Sequence, residues 1–294
     1  MSPDVLLAAC RFVHDSSLMA LWGTSAYLAV LVPQSVAEPV AGRLTIFRLA
    51  AVSLTLGTTC LTLPTQTAMI GDGWSDAVNG QMLWDVLAST NIGTAWLAQA
   101  LAGVLLVATQ MIAPRLRLAT TAIASGLGLV CLALSGHAVM NEGWRGIVHP
   151  LNDALHVLSA GAWVGALLPL LLILASASKA PFDADAATAL RRFSNAGHVV
   201  VTLAILSGIA NSFFIVGWPF GLSSPYRMLL SMKVVAVLAM IAMATANRYW
   251  FVPRIGRAHS TALHAIRVGT AIEIVLALAA ILFVSIFGML DPNS

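Results

Sequence analysis

Residues 153–175 read DALHVLSAGAWVGALLPLLLILA. After Asp153 and His156 the stretch holds no ionisable group. Its apolar run is about 20 residues long, the length that crosses a bilayer's hydrocarbon core as a helix rising 1.5 Å per residue. Gly161, Gly165 and the alanines around them form a small-residue face on which another helix can pack closely. Seven further stretches repeat the pattern. The expected spans are 5–32, 45–63, 94–113, 118–138, 153–175, 197–217, 229–249 and 269–289, separated by breakers such as Pro33, Pro64, Pro114, Pro150, Pro181, Pro219, Pro253 and Pro292.

Composition agrees. Of 294 residues, 59% are hydrophobic and 9% charged, with a mean hydropathy of +0.88, against about 25% charged in soluble domains. Only helices and closed barrels satisfy their backbone in lipid, and no alternating ten-residue pattern favours a barrel. The fold class is therefore all-α: a polytopic membrane protein, a single eight-helix domain over 1–294. A pI near 9.0 does not point to nucleic acid, because the basic residues are spread over short connections. Of the 15 Lys and Arg, all but Arg11, Arg145, Arg227 and Lys233 fall on the odd-numbered connections or the helix ends beside them. The positive-inside rule then makes those connections cytoplasmic and both termini periplasmic. The start Met1-Ser-Pro-Asp lacks a basic region, so the first span reads as a retained helix and not a cleaved signal. Cys10, Cys60 and Cys131 sit in apolar stretches without a CxxC pair and read as small buried hydrophobes.

The periplasmic connections carry the chemistry. Loop 64–93 holds Asp72, Asp76, Asp85, Met69, Met82, Trp74 and Trp84, and SDAVNGQMLWDVLAST reads as an interfacial helix capped by Ser75. Trp74, Trp84, Trp144 and Trp218 read as interface anchors. The connection 135–156, which includes GHAVMNEGWRGIVHPLNDALH from Gly136 to His156, gathers three histidines, a methionine, a glutamate and an aspartate. With His14 in RFVHDSS, the residues His137 and His156 place three imidazoles from three spans near one membrane face. Imidazole is the commonest metal-ligand side chain, and imidazole with thioether suits copper. Met140 lies one turn from His137 and is a second ligand candidate, with Glu142 and His149 as loop ligands that capture the ion. Asp153, at i, i+3 from His156, is placed to orient that ring, the usual supporting arrangement for a metal-bound histidine; Asp15 is expected to point away from His14. Met228 and Met232 would extend a sulfur-lined path. At the cytoplasmic side Glu273 is an ionisable group within a span, with Arg248 as its expected partner. His198 and Asn211 mark further polar steps.

Two rivals share these residues. A pair among His14, His137 and His156 would also serve a b-type haem, which a Soret band would reveal. A membrane anchor for a periplasmic carrier, without transport, would tolerate loss of Glu273, Arg248 or His198.

The chain resembles the CopD family of bacterial inner-membrane copper proteins. The resemblance runs over nearly all of it: RFVHDSSLM at 11–19, SGHAVMNEG at 135–143, IVHPLNDALHVLSAGAWVGALLPL at 147–170, RRFSNAGH at 191–198, ANRYWFVPR at 246–254, and Glu273 in the last span. The resemblance implies copper as the ion handled, a multi-pass place in the bacterial inner membrane, uptake toward the cytoplasm, and His14, His137 and His156 as copper-contacting positions. It further implies a separate periplasmic copper-binding protein of the CopC type as partner, since no such domain is fused here. No ATP-binding motif is present, and a non-enzyme driven by gradients or carrier affinity is expected.

Overall fold

The computed structural model describes residues 1–135, 143–177, 184–217, 224–254 and 259–292. Among the described residues there are ten α-helices: α1 (Pro3–Ala26), α2 (Gln34–Arg43), α3 (Thr45–Ile70), α4 (Gly80–Ser89), α5 (Asn91–Gln110), α6 (Pro114–Leu132), α7 (Arg145–Ala177), α8 (Ala184–Ile215), α9 (Pro225–Ala246) and α10 (His259–Phe287). Among the described residues there is no strand. Among the ten described helices, eight are long and apolar enough to cross a membrane, all but α2 and α4. Wide π-helical turns continue α1 through Tyr27–Leu31 and α9 through Asn247–Phe251.

An even number of spans puts both chain ends on one face, here the termini face; the other is the far face. Arg11 of α1 donates to the Gly288 carbonyl just beyond α10 at 3.1 Å, a cation placed at a helix C-terminus. The Trp74 indole donates to the Met1 carbonyl at 3.1 Å on the same side.

Helices α1 and α7 run in the same direction and form a spine. One flank is α3, α5 and α6, packed on α1 through Leu18, Leu21, Val52, Leu106, Ala124 and Leu129. The other is α8, α9 and α10, packed on α7 through Trp163, Leu167, Leu170, Met240, Leu263 and Ile266. The spine crosses at glycines, as the small-residue face of α7 leads one to expect. A Cβ added to Gly23 would lie 2.6 Å from Gly165 Cα, and one added to Gly165 would lie 2.8 Å from Gly23 Cα. Proline is accommodated at the same place. Pro169 has no N–H for the Gly165 carbonyl one turn earlier, and Thr24 of α1 donates to that carbonyl at 2.9 Å. Partners of this kind let membrane helices carry proline.

Several helices exceed their expected bounds. Pro64 and Pro150 lie inside α3 and α7 and end neither. The amphipathic segment before 197 is continuous with the span, giving the 32-residue α8; α10 begins ten residues before 269. A helix does form in the 64–93 connection, α4, but its cap is Asn79, whose side chain accepts from the Gln81 and Met82 amides at 3.1 and 3.3 Å. Ser75 has helical backbone angles, φ −58° and ψ −37°, and so cannot act as an extended N-cap. Cys60 is exposed on the lipid side and not buried, Cys131 is half-buried, and Cys10 is buried.

Candidate metal-handling site

The glycine crossing sets the depth of the histidines. His14 lies nine residues before Gly23 (23 − 14) and His156 nine before Gly165 (165 − 156), so each sits about 14 Å from the crossing along its own helix, toward the termini face. His14 is buried and its Nδ1 is 3.3 Å from Asp15 Oδ1. That corrects the expectation that Asp15 points away: the neighbouring carboxylate turns back onto the ring. His156 is half-buried, and its Nδ1 lies 3.0 Å from the Ala204 carbonyl and 3.2 Å from Ser207 Oγ, both on α8. It packs on Gly208, where an added Cβ would come within 3.0 Å of the ring.

Asp153 does not serve as the orienting partner of His156. Its Oδ1 accepts from Asn211 Nδ2 at 2.8 Å, while Asn211 Oδ1 accepts from Asn152 at 2.7 Å and Asn152 also donates to the Ser207 carbonyl at 2.8 Å. Both side chains of α7 bond across the helix interface to α8 instead of along their own helix. Lys233 of α9 and Asp15 of α1 are within electrostatic reach of Asp153, and Lys233 also of His156. Three helices, α1, α7 and α9, thus bring charge together, and α8 adds neutral polar groups. His149 is not a loop ligand; it lies in α7, 1% exposed, with its ring stacked on Phe214 at 5.0 Å. Met228 and Met232 are exposed on the outside of α9, which removes the sulfur-lined path expected of them. His137, Met140 and Glu142 lie outside the described residues. Among the described residues, no three His, Cys, Asp or Glu side chains converge tightly enough to hold a metal ion. His14 and His156 therefore share a depth, and any third ligand must come from elsewhere.

The far-face half is built differently. A cavity of about 900 Å³ lies between α1, α7, α8, α9 and α10. Its walls include Trp163, Leu167 and Leu170, and its polar groups include Ser194, His198, Asn247, Arg248 and Glu273. The expected Glu273–Arg248 pair does not form. Glu273 accepts from Asn247 Nδ2 at 3.0 Å, whereas Arg248, the next residue along the π turn, points to Ser194 Oγ and stacks over Tyr249 at 5.5 Å. Adjacent residues on a helix diverge by about 100°, so only one of the two can face α10. His198 is held at both nitrogens, Nδ1 by the Ser194 carbonyl at 2.9 Å and Nε2 by the Tyr249 hydroxyl at 3.0 Å.

Sequence reasoning missed Asn152, Ser207, Lys233 and Asn247. Lys233 carried a readable signal, a charge eight residues into an apolar helix. Ser207 and the two asparagines resemble the many small polar residues elsewhere in the spans, and nothing local distinguishes them.

A bundle with eight helices long and apolar enough to cross a bilayer among the described residues, and polar clusters between them, is a multi-pass membrane protein. The family profile "Copper resistance protein D-like, N-terminal domain" matches residues 1–147, and "Copper resistance protein D" matches residues 187–287. The chain belongs to the copper resistance protein D family. It is 31% identical to the inner membrane protein YebZ of Escherichia coli over 97% of both chains. It is 30% identical to copper resistance protein D of Pseudomonas syringae over 99% of this chain and 98% of that one. The copper transport protein CutJ of Bacillus subtilis is 35% identical over 57% of this chain and 32% of its own length. No solved structure matches the chain significantly. The two profiles cover the flanks of the bundle and leave most of α7, with His149, Asp153 and His156, between them.

Proposed function

We propose that this protein takes copper at its periplasmic face through His14, His137 and His156, with Met140 and Glu142 assisting capture, and passes it toward the cytoplasm; His149, buried in α7 against Phe214, is left out of the capture set. The observation that carries the reading is shared by His14 and His156. In each ring Nδ1 is engaged by an acceptor, Asp15 in one and the Ala204 carbonyl in the other. A neutral ring with its proton on Nδ1 presents a lone pair at Nε2, and such an arrangement is how metal-binding histidines are fixed. Asp153 acts through Asn211 by holding α8 against α7, and so holds the groups that fix His156. Copper here is cargo; soft and imidazole donors accept it.

A periplasmic carrier of the CopC type docks on the termini face in this reading. The exposed acidic residues Asp72, before α4, and Asp85, within it, suit an encounter with a metal-loaded donor, with half-buried Asp76 beside them. The names of the relatives support copper as the ion. Transport is tested by loading proteoliposomes with a copper-sensitive dye and adding copper outside. Wild type should accumulate copper and His14→Ala should not. Equal slow leakage in both would leave only the anchoring role and end the transport reading.

A further inference from the structure

We propose that Glu273 and Asn247 form a proton-binding site in the wall of the far-face cavity, and that copper passage is coupled to the proton held there. The coupling rests on the transport reading above; the proton site does not.

Glu273 is 3% exposed and stands 14 residues into α10 (273 − 259), about 21 Å along the helix axis. A bare carboxylate at such a place is costly and marks a functional group. The amide beside it is incompletely satisfied. Asn247 is 8% exposed and lines the cavity, its Nδ2 donates to Glu273 Oε1, and its Oδ1 is buried without a hydrogen-bond partner. Gly269, one turn before Glu273, presses on the same amide, where an added Cβ would lie 2.7 Å from Oδ1. The amide is thus pinned along α10 with one donor used and one acceptor orphaned, beside a carboxyl group. The missing element is a donor. A proton on Glu273 supplies it and at the same time removes the buried charge, answering two costs with one group.

The neighbours do not offer an alternative. The titratable and charged groups facing this cavity are Tyr27 from α1, Arg191 and His198 from α8, and Arg248 and Tyr249 from α9; α7 contributes none among the described residues. Arg248 is turned to Ser194 and Tyr249, and His198 is engaged at both nitrogens. No imidazole is left for copper, and an amide oxygen with one carboxylate is an oxygen set that copper does not favour. Asn247 also opens a π-helical turn, a distortion that recurs at functional positions, here presenting the amide to the cavity where the proton can be exchanged.

The test has two arms, on protein reconstituted in lipid. Infrared difference spectra between acid and alkaline buffer are recorded for wild type and Glu273→Gln, with size exclusion confirming that both are folded. A protonated-carboxyl band that titrates in wild type and is missing from Glu273→Gln is expected, and Asn247→Ala should shift it. No difference between the two proteins overturns the proton site; a titration that moves with sodium concentration assigns the site to sodium and overturns it equally. In the second arm, pH dye inside proteoliposomes reports proton movement on copper addition. Copper-driven proton flux lost at least ~10-fold in Glu273→Gln, with copper binding retained and flux restored in part by Glu273→Asp, is the expected result. Copper uptake without proton movement in wild type overturns the coupling. A wild type that binds no copper, yet shows the titrating band, would end the copper reading and leave the proton site standing.

Discussion

The two polar regions of this bundle differ in how completely they are filled. Near the termini face, Asn152, Asp153, His156, Ser207 and Asn211 interlock between α7 and α8 with bonds of 2.7–3.2 Å. Around the far-face cavity the polar groups border about 900 Å³ of space and one acceptor is left over. A filled network fixes side chains in one geometry, which suits selecting and holding an ion. A roomy one with a spare acceptor suits accepting and releasing something small. Both regions hang from the α1–α7 spine, so the difference between them is one of side chains and not of scaffold.

The strongest way to break the comparison is to remove the scaffold they share. Gly165→Leu should abolish a monodisperse protein in size exclusion, since the new side chain meets the α1 backbone, which cannot yield as a flexible side chain would, and overpacking costs about 1–3 kcal/mol or more. Gly57→Leu is the control; its Cβ position is open and the protein should remain folded. Next in size is the support of the imidazoles. Asp15→Ala should weaken copper binding by about 10–100-fold in a chelator competition, the usual effect of removing a group that fixes a metal-bound histidine. Ser207→Ala should weaken it less, because the Ala204 carbonyl still holds His156 Nδ1. Asn211→Leu sharpens the contrast in packing: it takes the amide donor from Asp153 and leaves Asn152 only the Ser207 carbonyl, and should lower stability by about 1–3 kcal/mol, read as a fall in Tm in detergent. Ser194→Ala should have the smallest effect, about 0.5–1.5 kcal/mol, because the cavity gives Arg248 room to find another partner.

The membrane spans were legible because an uncharged run of some 20 residues has few other destinies. Their ends were not. Pro64 and Pro150 read as breakers, yet helices in a bundle pass through proline when neighbours cover the freed carbonyl, as Thr24 does for Gly165 opposite Pro169. The depth of His14 and His156 was also readable, since it follows from helix rise alone. Which atom each side chain meets was not, because partners come from other helices whose rotation the sequence does not encode locally. So Glu273 met Asn247 and not Arg248, one residue away, and Asp153 met Asn211 and not His156. Lys233 went unrecognised for another reason: it was counted among the boundary charges when it lies well within α9.

The most direct measurement is the metal content of purified, copper-loaded protein, by elemental analysis with a visible spectrum, for wild type and for His14→Ala, His137→Ala and His156→Ala. One copper site at the termini face predicts stoichiometric copper in wild type, lost in each of the three variants, and no Soret band. Copper retained in all three variants, no copper in wild type, or a Soret band that vanishes with a histidine would contradict it.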